Sequence, residues 1–309
     1  MPARPRARLQ LAAAAMLFST GGAAIKAAAF TPWQVAGLRS GIAAVAIVAL
    51  SRRARHGWTP RVALVGVAYA ACLTLFVLAN RLTTSANTIF LQSAAPLYLL
   101  VLSPWLPKEP IRRQDLGFMA IVGIGLALFF VSAEPAVASA PDPARGNLLA
   151  LVSGVCWAFT VCGLRWLGTG ESRGEGAGGS AVAAVVSGNL TAFLVALPMA
   201  LPLGPHAPVD WAVVLYLGVG QIAVAYLLVT AGLRYIPALE ASLILLIEPA
   251  LNPVWAWLIQ GERPGTWALL GGVVILGSTT VKGWLDARGQ RALAPELAVA
   301  AEASPSGLG

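Results

Sequence analysis

The stretch that decides the fold is 238–264, ALEASLILLIEPALNPVWAWLIQGERP, an apolar run with a glutamate and a proline at its middle and a polar turn at its end. The same plan occurs earlier in the chain. Its landmarks recur at a spacing of 153 or 154 residues: Pro96 with Pro249, Glu109 with Glu262, Gly117 with Gly271, and Gly123 with Gly277. Landmarks that recur in one order indicate an internal repeat. We therefore predict that the chain arose by duplication.

The composition is that of a membrane protein. Of the 309 residues, 58% are hydrophobic and 11% are charged, whereas soluble domains carry about 25% charged residues. A helix needs about 20 apolar residues to cross ~30 Å of hydrocarbon. Ten runs satisfy this: 9–28, 33–51, 62–80, 86–106, 114–132, 147–166, 180–201, 211–231, 238–259 and 265–285. We predict an all-α protein with ten transmembrane helices.

Each repeat contains five predicted spans, an odd number, so the second copy enters the membrane in the opposite orientation. Inverted repeats of this kind build secondary transporters, with the binding site near the midplane. The predicted division is 1–132 for the first repeat, 133–146 for the connecting loop, 147–285 for the second repeat and 286–309 for a disordered tail. Residues 1–28 also fit a cleavable signal peptide, but removing them would break the repeat, which favours a retained first helix.

The positive charge predicts the topology. The net charge is +8, and 16 of the 21 lysines and arginines precede the first span or follow an even-numbered one. Basic residues mark the cytoplasmic side. We therefore expect both termini to be cytoplasmic, with the lipid bilayer as partner and no nucleic acid.

Two prolines fall near the centres of equivalent spans. Pro96 and Pro249 each remove one backbone hydrogen bond from a helix. Irregular backbone at membrane depth is tolerated where it is packed in protein or lines a cavity. The pair is either a hinge beside the substrate path or a static kink needed for packing.

Glu248 is the most informative single residue, because it lies about ten residues from either end of its predicted span. Ionisable residues inside a membrane face a cavity or a partner. Three interpretations remain open: a site for substrate or for protons as coupling ion, a structural ion pair or hydrogen bond, and an incidental position. Arg39 in the second span is the expected counter-ion, although snorkelling to the outer surface also explains it.

Other polar and aromatic residues near midspan are candidates for substrate contact, each with interhelical hydrogen bonding as the alternative: Gln92, Asn87, Gln221, Trp157 and Tyr226. Enzyme signatures are absent from the sequence. His56 and His206 lie in loops on opposite sides of the membrane, and no metal-ligand or nucleotide-binding motif is present. We predict no enzymatic activity, no cofactor and no metal.

Together these features resemble the drug/metabolite transporters, and among them the EamA-type (RhaT-like) branch. The resemblance rests on ten short spans in two repeats, Arg39, and Glu248-Pro249 followed by Gly261-Glu262. It implies secondary active transport of a small organic metabolite, an amino acid or related compound, across a bacterial inner membrane, with efflux as the direction. It also implies a central cavity lined by the first, third, fourth, sixth, eighth and ninth helices. The alternatives are a lipid-handling flippase, a membrane-embedded enzyme and a non-transporting scaffold.

Overall fold

The computed structural model describes residues 3–102, 113–131, 135–169, 179–232, 235 and 244–303. Apart from one isolated bridge between Val137 and Ala140, the regular structure of these residues is helical. The α-helices are α1 (Ala3–Ser19), α2 (Gly21–Ala27), α3 (Pro32–Leu50), α4 (Pro60–Leu82), α5 (Ser85–Ser93), α6 (Ala95–Leu102), α7 (Arg113–Leu128), α8 (Pro143–Thr169), α9 (Gly179–Ala200), α10 (Pro208–Tyr216), α11 (Ala225–Gly232), α12 (Ile247–Gln260) and α13 (Thr266–Ala303).

These helices confirm the prediction of ten spans. The first span is α1 with α2, the fourth is α5 with α6, and the eighth is α10 and α11 joined by the π-helical segment Leu217–Val224. Within the described residues, seven helical stretches are long and apolar enough to cross a membrane, and Asp115–Leu128 is a shorter apolar helix. The protein is therefore a multi-pass membrane protein.

The local sequence explains where several helices begin. Thr31, Thr59 and Thr84 precede α3, α4 and α5, and each threonine hydroxyl accepts a hydrogen bond from a backbone N–H of the first turn. Pro32 and Pro60 occupy the first positions of their helices, where a missing N–H removes no intrahelical bond. At the other end of α12, Gly261 terminates the helix with a φ of +67°, which glycine adopts without steric cost.

The fourth and ninth spans are interrupted, and both prolines lie just after the interruption. The fourth span breaks at Ala94, and the ninth has a turn at Leu246. Pro96 and Pro249 were predicted to lie inside continuous helices, but they occupy the first turns of α6 and α12. A first-turn N–H has no intrahelical acceptor, so proline is accommodated there without loss of a bond. Their role as hinges stays a prediction.

The packing follows the duplication. The third and fourth spans both pack on the sixth, and their copies, the eighth and ninth, both pack on the first. The second span packs on its copy, the seventh, and the fifth packs on its copy, the tenth. Exchanging each span with its copy five positions along leaves this set of pairs unchanged. The fold is therefore two inverted five-helix repeats around a pseudo-twofold axis.

The last helix extends beyond the predicted span. Helix α13 continues to Ala303, whereas 286–309 was expected to be disordered. Residues 286–303 are rich in alanine, leucine, glutamate and arginine, which have high helix propensity. Residues 304–309 lie outside the described part of the chain.

Candidate functional site

A cavity of about 400 Å³ lies between helices of both repeats. Its volume is in the range of small-molecule sites, ~300–1,000 Å³. Its lining residues are Phe18, Arg39, Tyr69, Cys72, Leu73, Phe76, Ile89, Gln92, Ser93, Ala95, Leu99, Trp157, Gln221, Ile222, Tyr226, Val229, Leu245, Leu246, Glu248, Pro249, Thr279 and Gly283. They come from the six expected spans and also from the second and tenth. The lining is mainly apolar and aromatic.

Most predicted site residues meet at this cavity. Seven of them line it: Arg39, Gln92, Trp157, Gln221, Tyr226, Glu248 and Pro249. The side chain of Pro96 lies outside the described part of the structure. Because the seven side chains come from five different spans, their meeting is a tertiary result. Their contact with substrate remains a prediction.

Asn87 lies away from the cavity. Its side chain is fully buried, and its Nδ2 donates to Thr83 Oγ1 at 3.2 Å and to Asn147 Oδ1 at 3.1 Å. The reason is positional, since Asn87 stands in the first turn of α5, close to the chain ends of the neighbouring spans. In this structure it joins helices rather than facing the predicted substrate path.

A ring of aromatic side chains forms one wall, and sequence reasoning named only part of it. The rings of Tyr69 and Tyr226 meet edge to face at 5.7 Å, as do those of Phe18 and Tyr226. Trp157 lies 6.3 Å from Tyr69. Tyr69 and Phe18 were missed because an aromatic residue in an apolar run looks like ordinary core. The cavity therefore offers several aromatic faces to an apolar or cationic group.

The Gln92 amide is partly committed to neighbouring helices. Its Nε2 donates to Ser153 Oγ at 3.0 Å and lies 3.4 Å from Cys72 Sγ. The Ser153 hydroxyl in turn donates to the Cys72 backbone carbonyl at 3.0 Å. These bonds hold the amide plane at the cavity wall. Gln92 therefore lines the cavity and also bonds neighbouring helices.

Arg39 is buried in the wall, 1% exposed, which excludes the snorkelling alternative in this structure. Its Nη2 donates to the Leu73 carbonyl at 3.0 Å, and its Nε has no hydrogen-bond partner. The expected ion pair with Glu248 is not among the ion pairs of the described residues. Arg39, Glu248, Tyr69 and Tyr226 all line the same cavity, and the rings of the two tyrosines are in contact.

The local backbone explains why a carboxylate is tolerated at Glu248. It is the second residue of α12 and supplies the acidic group of the first turn. A helix N-terminus carries unsatisfied N–H groups and favours a negative charge. Among the described lining residues, Arg39 is the basic side chain and Glu248 the acidic one. The cavity thus combines one basic and one acidic side chain with several aromatic ones.

A buried ion pair closes the end of the bundle at which the first span finishes, which we call the closed end. Lys26, at the end of α2, pairs with Glu262, which follows α12, and their side chains are 5% and 1% exposed. Glu262 Oε2 also accepts a hydrogen bond from the Ser85 backbone N–H at 2.9 Å. The Lys26 ammonium donates to the backbone carbonyls of Thr83 at 2.8 Å and Ser139 at 2.5 Å. These contacts join both repeats beyond the cavity.

Sequence comparison identifies the fold. A family model described as the EamA-like transporter family matches residues 6–131 and again 144–282. A solved structure, named only "Crystal structure of protein", is 20% identical, with a TM-score of 0.59, over 92% of this chain and 99% of that one; at this identity the likeness shows the fold alone. No curated protein matches. Because the family matches cover both repeats, the chain belongs to the EamA-like transporter family, whose members carry small solutes across membranes.

Proposed function

We propose that this protein is a secondary active transporter that exports a small organic metabolite, an amino acid or related compound, by alternating access. The observation that carries the proposal is a cavity of about 400 Å³ between two inverted repeats, with Arg39 and Glu248 among its lining residues. No enzymatic activity and no cofactor form part of the proposal. The partners are the solute and the lipid bilayer.

The arrangement of charges supports a zwitterionic substrate. A carboxylate would accept hydrogen bonds from the Arg39 guanidinium, whose Nε is buried without a partner. An ammonium would bind the Glu248 carboxylate and lie against the faces of Tyr226 and Phe18. The apolar body would contact Tyr69 and the aliphatic wall. A buried unpaired donor is costly, so a ligand group that satisfies Arg39 contributes to affinity.

The closed end supports alternating access. The Lys26–Glu262 pair ties the ends of α2 and α12 to the start of α5, while the cavity extends to Leu245 and Gly283, toward the end where the chain begins. Inverted repeats have two equivalent tilts, one open to each side. Opening would release the ion pair and close the other end. Pro96 and Pro249, in the first turns of helices next to interruptions, are the proposed hinges.

The proposed direction and location are supported by the same geometry combined with the charge pattern. Basic residues concentrate at the end of the bundle where the first span begins and the tenth span ends. Because basic residues mark the cytoplasmic side, this supports a cytoplasmic location for that end, in a bacterial inner membrane. A cavity that extends toward this end would load from the cytoplasm. Export is therefore the favoured direction.

Protons are the proposed coupling ion. Glu248 can bind either a proton or the ammonium of a substrate, and a shared site of this kind exchanges one for the other. Each cycle would then carry a proton inward and a solute outward. The chain has no predicted nucleotide-binding motif, so a gradient is the available energy source.

The test is a ligand screen that measures the melting temperature of the purified protein. The ligands are amino acids, amines, sugars, nucleosides and lipid headgroups. A ligand at about 100 times its dissociation constant adds ~2.7 kcal/mol to the free energy of unfolding. We expect amino acids or amines to stabilise the wild type and not Glu248→Gln. Asp142→Asn, which removes a partly buried carboxylate outside the cavity, is the control and should keep the response. Stabilisation by lipid headgroups alone would contradict the proposal and favour a flippase.

A further inference from the structure

Asn252 is a fully buried amide that the cavity does not include. It lies one turn after Glu248 on α12, is 0% exposed, and neither its Oδ1 nor its Nδ2 has a hydrogen-bond partner. Burying an amide without partners is unfavourable relative to an apolar side chain of similar shape. Asn252 therefore does not serve the stability of this conformation. We therefore expect the Asn252 amide to make its hydrogen bonds in another state of the transport cycle.

The groups beside Asn252 are also unsatisfied. Ser85, at the start of α5, is 0% exposed, and its Oγ has no partner. A Cβ on Gly22 would lie 2.8 Å from Asn252 Oδ1 and 2.9 Å from Ser85 Oγ. The absence of a side chain at Gly22 is what lets both polar groups approach α2. Any larger residue there would push them apart.

These groups continue the polar side of the cavity toward the closed end. On the cavity side, Gln221 lies next to Gly21, where a Cβ would stand 2.7 Å from its Nε2, and its Oε1 is also unpartnered. On the far side, the backbone N–H of Ser85 donates to Glu262, the partner of Lys26. The order from the cavity is therefore Gln221, the Asn252–Ser85 pair, and the ion pair. The intermediate pair stands on the route a solute would take once the ion pair opens.

We propose that Asn252 and Ser85, beside Gly22, form a second polar subsite, which binds the zwitterionic headgroup of an amino-acid substrate on its way from the cavity to the opposite end. Asn252 Nδ2 and the Ser85 hydroxyl supply donors for the carboxylate, and Asn252 Oδ1 supplies an acceptor for the ammonium. Both residues are uncharged, so they can bind the headgroup and release it again. The proposal rests on the proposed function and deepens it.

The first test compares the stability of two leucine variants and needs no substrate. Asn252→Leu replaces an unpartnered amide by an apolar group of similar shape. We expect its melting temperature to equal or exceed that of the wild type. Asn147→Leu is the matched control, because Asn147 is also buried but both of its polar atoms are bonded: Oδ1 accepts from Thr83 Oγ1 and Asn87 Nδ2, and Nδ2 donates to the Phe129 carbonyl. Its melting temperature should fall by several degrees.

The second test measures transport in proteoliposomes, with a labelled mixture of the twenty proteinogenic L-amino acids as probe. We expect Asn252→Leu to transport about tenfold more slowly than the wild type, the factor that one hydrogen bond to a charged group contributes. Gly22→Ala, which crowds the pair, should also slow transport. Both variants should still be stabilised by the amino acids that stabilise the wild type, because the cavity itself is unchanged.

Two results would overturn the subsite: a loss of stability in Asn252→Leu as large as that in Asn147→Leu, or wild-type transport by Asn252→Leu. A wild type that moves none of the mixture would refute the proposed amino-acid substrate instead. In that case the melting temperatures alone show whether the Asn252 amide has hydrogen-bond partners in the folded protein.

Discussion

Glu262→Gln tests the closure of the bundle directly. The substitution removes the carboxylate that binds the Lys26 ammonium and the Ser85 N–H, in a place where the two side chains are 5% and 1% exposed. Removing one partner of a buried pair leaves an uncompensated charge and costs about 3–5 kcal/mol. Lys26 keeps the carbonyls of Thr83 and Ser139 as acceptors, so we expect a loss near the lower end, about 3 kcal/mol, in the free energy of unfolding.

The assay is reversible unfolding in detergent, run as a double-mutant cycle. Lys26→Met combined with Glu262→Gln should lose less stability than the two single variants together, because no charge is left buried without a partner. Asp142→Asn breaks the Arg145–Asp142 pair, whose arginine is exposed, and should cost at most about 1 kcal/mol.

Access to the closed end supplies the second readout. The native cysteines Cys72, Cys156 and Cys162 are first replaced, and Ser85→Cys is then introduced. We expect its thiol to react faster with a membrane-impermeant reagent in the Glu262→Gln variant than in the same background with Glu262. Asp115→Asn is the control, since it breaks an ion pair with Lys282 that joins α7 to α13 away from this end, and it should leave the reaction rate unchanged. Equal losses for Glu262→Gln and Asp142→Asn, with no change in reactivity, would refute the role assigned to the ion pair.

Three further predictions concern the cavity and the helix contacts. Glu248→Gln should weaken amino-acid transport in proteoliposomes and make the residual transport insensitive to an imposed pH gradient, and coupling that persists in this variant would place the proton site elsewhere. Arg39→Gln should weaken binding of amino acids by about tenfold or more but leave binding of the corresponding amines unchanged, as measured by thermal shift, because only the carboxylate loses its partner. Gly188→Ala should lower stability by about 1–3 kcal/mol, since its Cβ would stand 2.5 Å from the Tyr69 ring and 3.0 Å from the Gly66 carbonyl. Gly123→Ala, with nothing within 4 Å, should instead raise stability by about 0.5–1 kcal/mol, because alanine has the higher helix propensity. A loss there equal to that of Gly188→Ala would show that the close contacts at Gly188 do not cause its loss.

Much of the architecture is visible in sequence because it depends on one-dimensional patterns. The length of apolar runs is set by the thickness of the membrane, so ten spans could be counted without any knowledge of their packing. The spacing of Pro96 with Pro249 and of Glu109 with Glu262 predicts the duplication, and the odd number of spans makes the repeats inverted. Glu109 lies outside the described residues, so its equivalence to Glu262 stays a prediction.

The site was predictable only in part. A polar residue inside a span is expected to have a partner, but the sequence does not identify that partner. Seven predicted residues line the cavity, but Asn87, chosen on the same grounds, joins helices instead. Asn252 carries no distinguishing mark in the sequence, since its unsatisfied amide can be recognised only once its neighbours are known. The expected Arg39–Glu248 pair is absent from the ion pairs of the described residues, although both side chains line the same cavity.

By itself, the sequence determined the membrane location, the number of spans, the duplication and the concentration of polar groups near the middle of certain helices. These follow from local composition and from the bilayer as solvent, which act on each span separately. The tertiary structure alone decided which side chains share the cavity, and that Lys26 binds a carboxylate 236 positions away. It also decided that both prolines begin a helix after an interruption. Such pairings depend on how ten similar apolar helices pack against one another, and the pattern of each helix leaves several neighbours equally favourable.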